Sequence, residues 1–102
     1  MEALHQPKIL IELLFFDTIL GGRETPAKDG YRVQFAIRDD MDNSGMLTFI
    51  NKNIAYPGET VRAYVKFLAF HLIEDYIFIG KRFKIREGPK VVGEGIILDI
   101  TN

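Results

Sequence analysis

The chain has no cysteine and no tryptophan among its 102 residues. Without thiols there are no disulfides, no thiol nucleophile and no thiolate metal site, and a reducing compartment is compatible. The 2 histidines, His5 and His71, stand too far apart in sequence to show a metal or catalytic constellation. His71 reads as a strand or loop residue rather than a base. An excess of one charge is missing too: the formal net charge of −1 lacks the bulk positive field behind non-specific nucleic-acid or membrane binding, so any RNA contact has to be a local patch. No apolar run approaches the ~18 residues that span a bilayer. The run from Ile9 to Phe16 resembles the apolar part of a signal peptide only superficially, because Glu12 interrupts it and only Lys8 precedes it; it reads as a strand. The expectation is a soluble cytoplasmic protein with no membrane partner. No Gly-rich loop followed by Lys and Ser/Thr occurs, which excludes a Walker-type nucleotide cradle and GTP hydrolysis with it. No cofactor and no enzymatic activity are expected. No segment keeps a helical period.

What is present is a globular balance, 47% hydrophobic and 26% charged, with core material for one domain spanning residues 1–102. Glycine and proline punctuate the chain at Gly21-Gly22, Pro26, Gly30, Gly45, Pro57-Gly58, Gly80 and Gly88-Pro89, and the pieces between them are short and β-rich. From Tyr31 to Arg38 the residues alternate, with Tyr31, Val33, Phe35 and Ile37 on one face and Arg32, Gln34, Ala36 and Arg38 on the other. Val61 to Phe70 repeats the device, and Arg82, Lys84 and Arg86 alternate with Phe83 and Ile85. With Ile9–Phe16, Met46–Ile50 and Val91–Ile100, about six strands are expected, a usual number for a small closed barrel.

Islands of sequence carry a resemblance: Gly21-Gly22-Arg23-Glu24-Thr25-Pro26, Tyr31-Arg32-Val33-Gln34-Phe35, Pro57-Gly58, Arg82-Phe83, Ile85-Arg86-Glu87-Gly88 and Val92-Gly93-Glu94-Gly95. In that order the chain resembles domain 3, the C-terminal barrel, of bacterial elongation factor Tu, over roughly Lys8 to Ile100. The resemblance implies an all-β, six-stranded antiparallel barrel without the GTPase, a translation-related binding module that docks on tRNA or on a protein of the translation machinery, and whose family relatives hold the T-arm of aminoacyl-tRNA. It carries RNA contacts over to Arg23, Arg32, Gln34, Glu87 and Gly88, with Arg86 beside them and Ser44 standing for a loop threonine. Duplex RNA is read through phosphates and 2′-hydroxyls, which cations, amides and backbone groups suit.

The sequence departs from the family where charge matters. Glu24 replaces a usual histidine, and the threonine-rich loop becomes Asp39-Asp40-Met41-Asp42-Asn43-Ser44. A carboxylate about 8 Å from a phosphate costs about 0.5 kcal/mol in water, so Glu24, Asp39, Asp40 and Asp42 together cost ~2 kcal/mol, or about thirtyfold in affinity. Around Ala69 to Ile79 the chain is about four residues longer than the family, and no lysine matches the one the family uses there. Asp40-Met41-Asp42-Asn43-Ser44-Gly45 reproduces the first half of an EF-hand loop, but Asn51 stands where the closing glutamate belongs, so a polar hairpin turn is the favoured reading and no metal is expected. The cations Arg82, Lys84 and Arg86, with Lys81 and Lys90, fit an RNA or acidic-partner patch and a solvated strand face equally. Arg23 and Arg86 also suit structural roles, holding turn carbonyls at the barrel ends. The apolar pieces Phe67–Leu72 and Tyr76–Ile79 read as covering each other. The rival function is a protein-interaction or regulatory barrel that has lost tRNA binding, a homo-oligomer among the options, with Phe67–Ile79 as its interface.

Overall fold

The structure is a computed structural model that describes residues 6–102; His5 lies outside the described residues. The strands are β1 (Lys8–Phe15), β2 (Ala27–Lys28), β3 (Arg32–Arg38), β4 (Met41–Phe49), β5 (Ile54–Ala55), β6 (Thr60–Phe67), β7 (Arg82–Glu87) and β8 (Lys90–Thr101). Six of them close into a barrel in the order β1-β6-β4-β3-β7-β8, every pairing antiparallel, while β2 and β5 form a separate two-stranded ribbon. The expected architecture is the one observed. Closure leaves the six long strands no free edge, which removes the template for edge-to-edge aggregation.

Alternation decides what the barrel encloses. Val33, Phe35 and Ile37 of β3, and Val61, Ala63, Val65 and Phe67 of β6, are buried, and their sequence neighbours point outward. Phe35 stands at the centre of the aromatic packing, 5.1 Å from the ring of Phe67 and 5.3 Å from that of Phe83. Small residues make room for it and for close strand approach. A Cβ on Gly45 would lie 2.7 Å from Phe35 Cε1, and one on Gly95 would lie 2.6 Å from the Glu12 carbonyl oxygen.

The segment after β3 is a correction. A polar turn was expected through Ser44, with a strand from Met46, but the turn is Asp39-Asp40 alone and β4 starts at Met41. Inward positions of this strand are taken by Asn43, 4% exposed, and by Gly45. Their polarity and small size hide the strand from a reading based on apolar alternation. The geometry also disperses the EF-hand-like pattern. Along a strand, residues two apart are about 7 Å distant, so Asp42 and Ser44 line up instead of converging on a point about 2.4 Å from each. Asp40, moreover, is held by Arg38 at 2.7 Å. Among the described residues no group of three or more His, Asp or Glu side chains is placed to hold a metal ion.

After β6 the chain leaves the barrel at Phe67, earlier than the alternation suggested, and makes short 3₁₀ turns at Phe70–Leu72 and Glu74–Tyr76. His71 is exposed in the first of these. Ile73 is fully buried and pins the segment to the core. Arg38 clasps it from outside, donating from Nη1 to the Leu72 carbonyl at 3.1 Å, with its guanidinium 5.1 Å from the Tyr76 ring centre. Mutual burial of these apolar pieces was expected, yet Leu68 is 74%, Ile79 60% and Phe78 54% exposed. The segment packs on the barrel through Ile73, with Phe70 and Ile77 partly buried beside it, and leaves Leu68, Phe78 and Ile79 facing solvent. Among the described residues no helix is long and apolar enough to cross a membrane.

Candidate nucleic-acid interface

Strand pairing brings distant parts of the sequence into one outward row. Gln34 of β3 lies opposite Ser44 on β4 and opposite Arg86 on β7. Outward residues on neighbouring strands stand about 4.8 Å apart, so hydroxyl, amide and guanidinium form a continuous line of polar groups. Arg32 is two residues from Gln34 on the same face; it is exposed and, among the described residues, in no ion pair. Gly88, in the β7–β8 turn, has φ of +61° and nothing within 4 Å of a Cβ position, so it supplies conformational freedom and leaves its backbone open.

Arg23 and Glu87 join each other. Arg23 Nη1 donates to Glu87 Oε2 at 2.9 Å, while its Nε and Nη2 donate to the Thr25 carbonyl at 3.2 Å and hydroxyl at 3.1 Å. The guanidinium also lies 4.7 Å from the Tyr31 ring centre, and the Tyr31 hydroxyl donates to the same Glu87 oxygen. Burial, and then that hydrogen bond to a carboxylate, push the Tyr31 phenol well above its ordinary pKa of 10.0. Each of the three guanidinium nitrogens of Arg23 thus has an internal partner, which favours a structural role for it. The sequence showed Arg23 and Glu87 as separate contacts, and Tyr31 as a core residue; their convergence appears only when the Gly21–Pro26 loop and the end of β7 are placed together.

Arg86 is also engaged. Its Nε lies 3.2 Å from Asp42 Oδ2, a charge pair that spans from β7 to β4 across Gln34. The N–H does not point at the carboxylate, so the buried Nε makes no hydrogen bond. This pairing changes the charge balance read from the sequence. Asp42 is matched by Arg86, and Asp40 by Arg38, whose hydrogen bonds hold the Asp40 carboxyl below its usual pKa. Of the four carboxylates, Glu24 and Asp39 are left exposed and, among the described residues, unpaired. The added repulsion toward a phosphate therefore falls to ~1 kcal/mol, about fivefold in affinity. The same pairing takes from Arg86 part of the positive charge it would offer.

A closed antiparallel barrel with these sequence islands is a barrel module of the translation-factor type. Residues 8–101 match the elongation factor Tu C-terminal domain, and the chain belongs to that family.

Proposed function

We propose that this barrel is a non-enzymatic RNA-binding module of the translation machinery, acting in the cytoplasm and taking the backbone of a tRNA on the outer face of β3, β4 and β7. The observation that carries this reading is the register that lines up Ser44, Gln34 and Arg86 beside Arg32, which is in no ion pair among the described residues. These groups offer one free cation, an amide and a hydroxyl, the chemistry that phosphates and 2′-hydroxyls accept. Arg32 supplies the main charge contact, Gln34 and Ser44 the hydrogen bonds, and Gly88 an approachable backbone. Arg23 and Glu87 shape the neighbouring loop. With so few free cations, binding is weak, and its salt slope is shallow, about 0.9 for each phosphate contact.

The test is a filter-binding titration of aminoacylated and uncharged tRNA at low and moderate salt. Micromolar binding that Arg32→Ala weakens, and that neutralising Glu24 and Asp39 strengthens, supports the reading. If neither the wild type nor the neutralised variant binds at tens of micromolar, it fails.

A second reading has its own observation. Leu68, Phe78 and Ile79 stand 74%, 54% and 60% exposed on the longer segment, more apolar surface than a barrel face needs, and this favours a protein docked there, a second copy of the chain included. Sedimentation of the wild type and of Phe78→Ser checks it: a concentration-dependent dimer abolished by the substitution favours a homo-oligomer.

A further inference from the structure

Beside the RNA face, the outer surface of β6 carries cations that neither the polar row nor the ion pairs use. Arg32 pairs in register with Met46, and Met46 with Lys66, so across three adjacent strands the outward sequence is Arg, Met, Lys. Strand spacing sets the two cations' backbones about 10 Å apart. On the far side of Lys66, β1 continues the row. Ile9 pairs with Val65, which puts Lys8 at the next place along, and the Lys8 ammonium lies 5.1 Å from the Tyr64 ring centre on that face. Between Arg32 and Lys66 runs a groove of about 290 Å³ lined by these two and by Gln6, Ser44, Met46 and Leu68, and Lys8 stands next to Lys66 outside it. Gln6 is fixed there by its amide, which donates to the Phe67 carbonyl at 2.8 Å and accepts from the Phe67 N–H at 2.9 Å. Among the described residues, no carboxylate lines the groove. Among the acids along the strands, Asp42 is engaged with Arg86 and Glu12 with Arg62, while Asp99 of β8, opposite Leu10 and diagonal to Lys8, is exposed and accepts from the Ile100 N–H.

We propose that Lys66 and Lys8, with Arg32, form a second phosphate-binding element, so that the RNA backbone crosses from the β3–β4–β7 face along this groove onto β6 and β1. The inference rests on the RNA-binding reading above. Charge complementarity selects the occupant, because the cations are exposed and, among the described residues, without carboxylate partners, and the groove shares Arg32 and Ser44 with the polar row. Met46 and the exposed Leu68 form an apolar floor that makes no demand on base identity, so the element adds affinity without sequence preference.

The experiment uses the full chain, a tRNA, and salt at about 50 and about 200 mM. Each phosphate contact contributes about 0.9 to the slope of log affinity against log salt, so Lys8→Ala/Lys66→Ala should shrink the ratio of affinities at the two salts by about tenfold. Binding at the lower salt should weaken, while the thermal midpoint stays unchanged. Lys52→Ala, which removes a charge paired with Glu59, should leave the slope as it is. If the wild type binds, Arg32→Ala weakens it, and the double variant matches the wild type in affinity and slope, the second element is overturned and the first reading stands. If the wild type binds no tRNA, both are overturned.

Discussion

The guanidinium of Arg23 and the carboxylate of Glu87 meet at 2.9 Å across 64 residues of sequence, with the Tyr31 hydroxyl on the same oxygen. An ion pair this exposed contributes at most about 1 kcal/mol, but Glu87→Ala also deprives a half-buried hydroxyl of its acceptor, so the expected loss is about 1–2 kcal/mol. Urea unfolding checks it. Arg32→Ala, on an exposed side chain without an ion pair, should change stability by less than about 0.5 kcal/mol. Loss of binding without loss of stability is therefore the signature of Arg32, and the two losses should come together at Arg23 and Glu87.

Arg38 links the Asp39-Asp40 turn to the longer segment, through Asp40 on one side and the Leu72 carbonyl on the other. In Arg38→Ala the Leu72 carbonyl and the Tyr76 ring lose this partner, while Ile73 remains buried in the core. Amide hydrogen exchange should accelerate at Leu72 to Ile77 and stay unchanged in β3. Equal rates in variant and wild type would show that the apolar contacts of Phe70, Ile73 and Ile77 hold the segment without Arg38.

Gly95 lies where β8 crosses close to β1, and a Cβ there would approach the Glu12 carbonyl oxygen to 2.6 Å and the Phe83 ring to 2.7 Å. Backbone on one side and a core ring on the other leave little room to yield, so Gly95→Ala should cost about 1–3 kcal/mol. Gly80, with φ of +93° and open space around it, differs in cause: Gly80→Ala suffers from backbone strain alone. Comparing the two by denaturant unfolding separates crowding from conformation.

Glu59 accepts hydrogen bonds from the Tyr56 N–H at 2.8 Å and from Lys52 Nζ at 3.1 Å, the first being the larger cause of its lowered pKa. The folded value lies below the unfolded 4.5. The unfolded chain thus binds the proton first as pH falls, and the stabilisation is present above pH 4.5 and lost as pH drops through the folded value. Glu59→Gln should flatten this part of the acid limb in thermal melts at pH 3 to 5, while an unchanged profile would assign acid sensitivity to other groups.

The barrel was legible because β3 and β6 carry clean alternation, and because the Gly-Gly-Arg and Ile-Arg-Glu-Gly islands bracket it. β4 was legible only in its second half. Its first half places Asn43 and Gly45 inward, since the Phe35 ring occupies the space a larger residue at Gly45 would need, and polar or tiny inward residues look like a loop. The ribbon of β2 and β5 has two residues per strand, too few for any periodicity. At the site, the residue types could be read off, but not their pairings. Arg86 with Asp42 and Arg23 with Glu87 are made by strand register and loop placement, and these decide which cations remain free. Exposure of Leu68, Phe78 and Ile79 was equally hidden, because composition says how much apolar surface exists and not that Phe70, Ile73 and Ile77 are the part turned to the core.

The central claim is that RNA lies across β3, β4 and β7, and amide chemical-shift mapping tests it most directly on a chain of 102 residues. Titrating isotope-labelled protein with a tRNA T-arm hairpin at low salt should shift the amides of Arg32, Gln34, Ser44, Arg86 and Gly88 together. Shifts confined to Leu68 through Ile79, or no shifts at hundreds of micromolar hairpin, would contradict it.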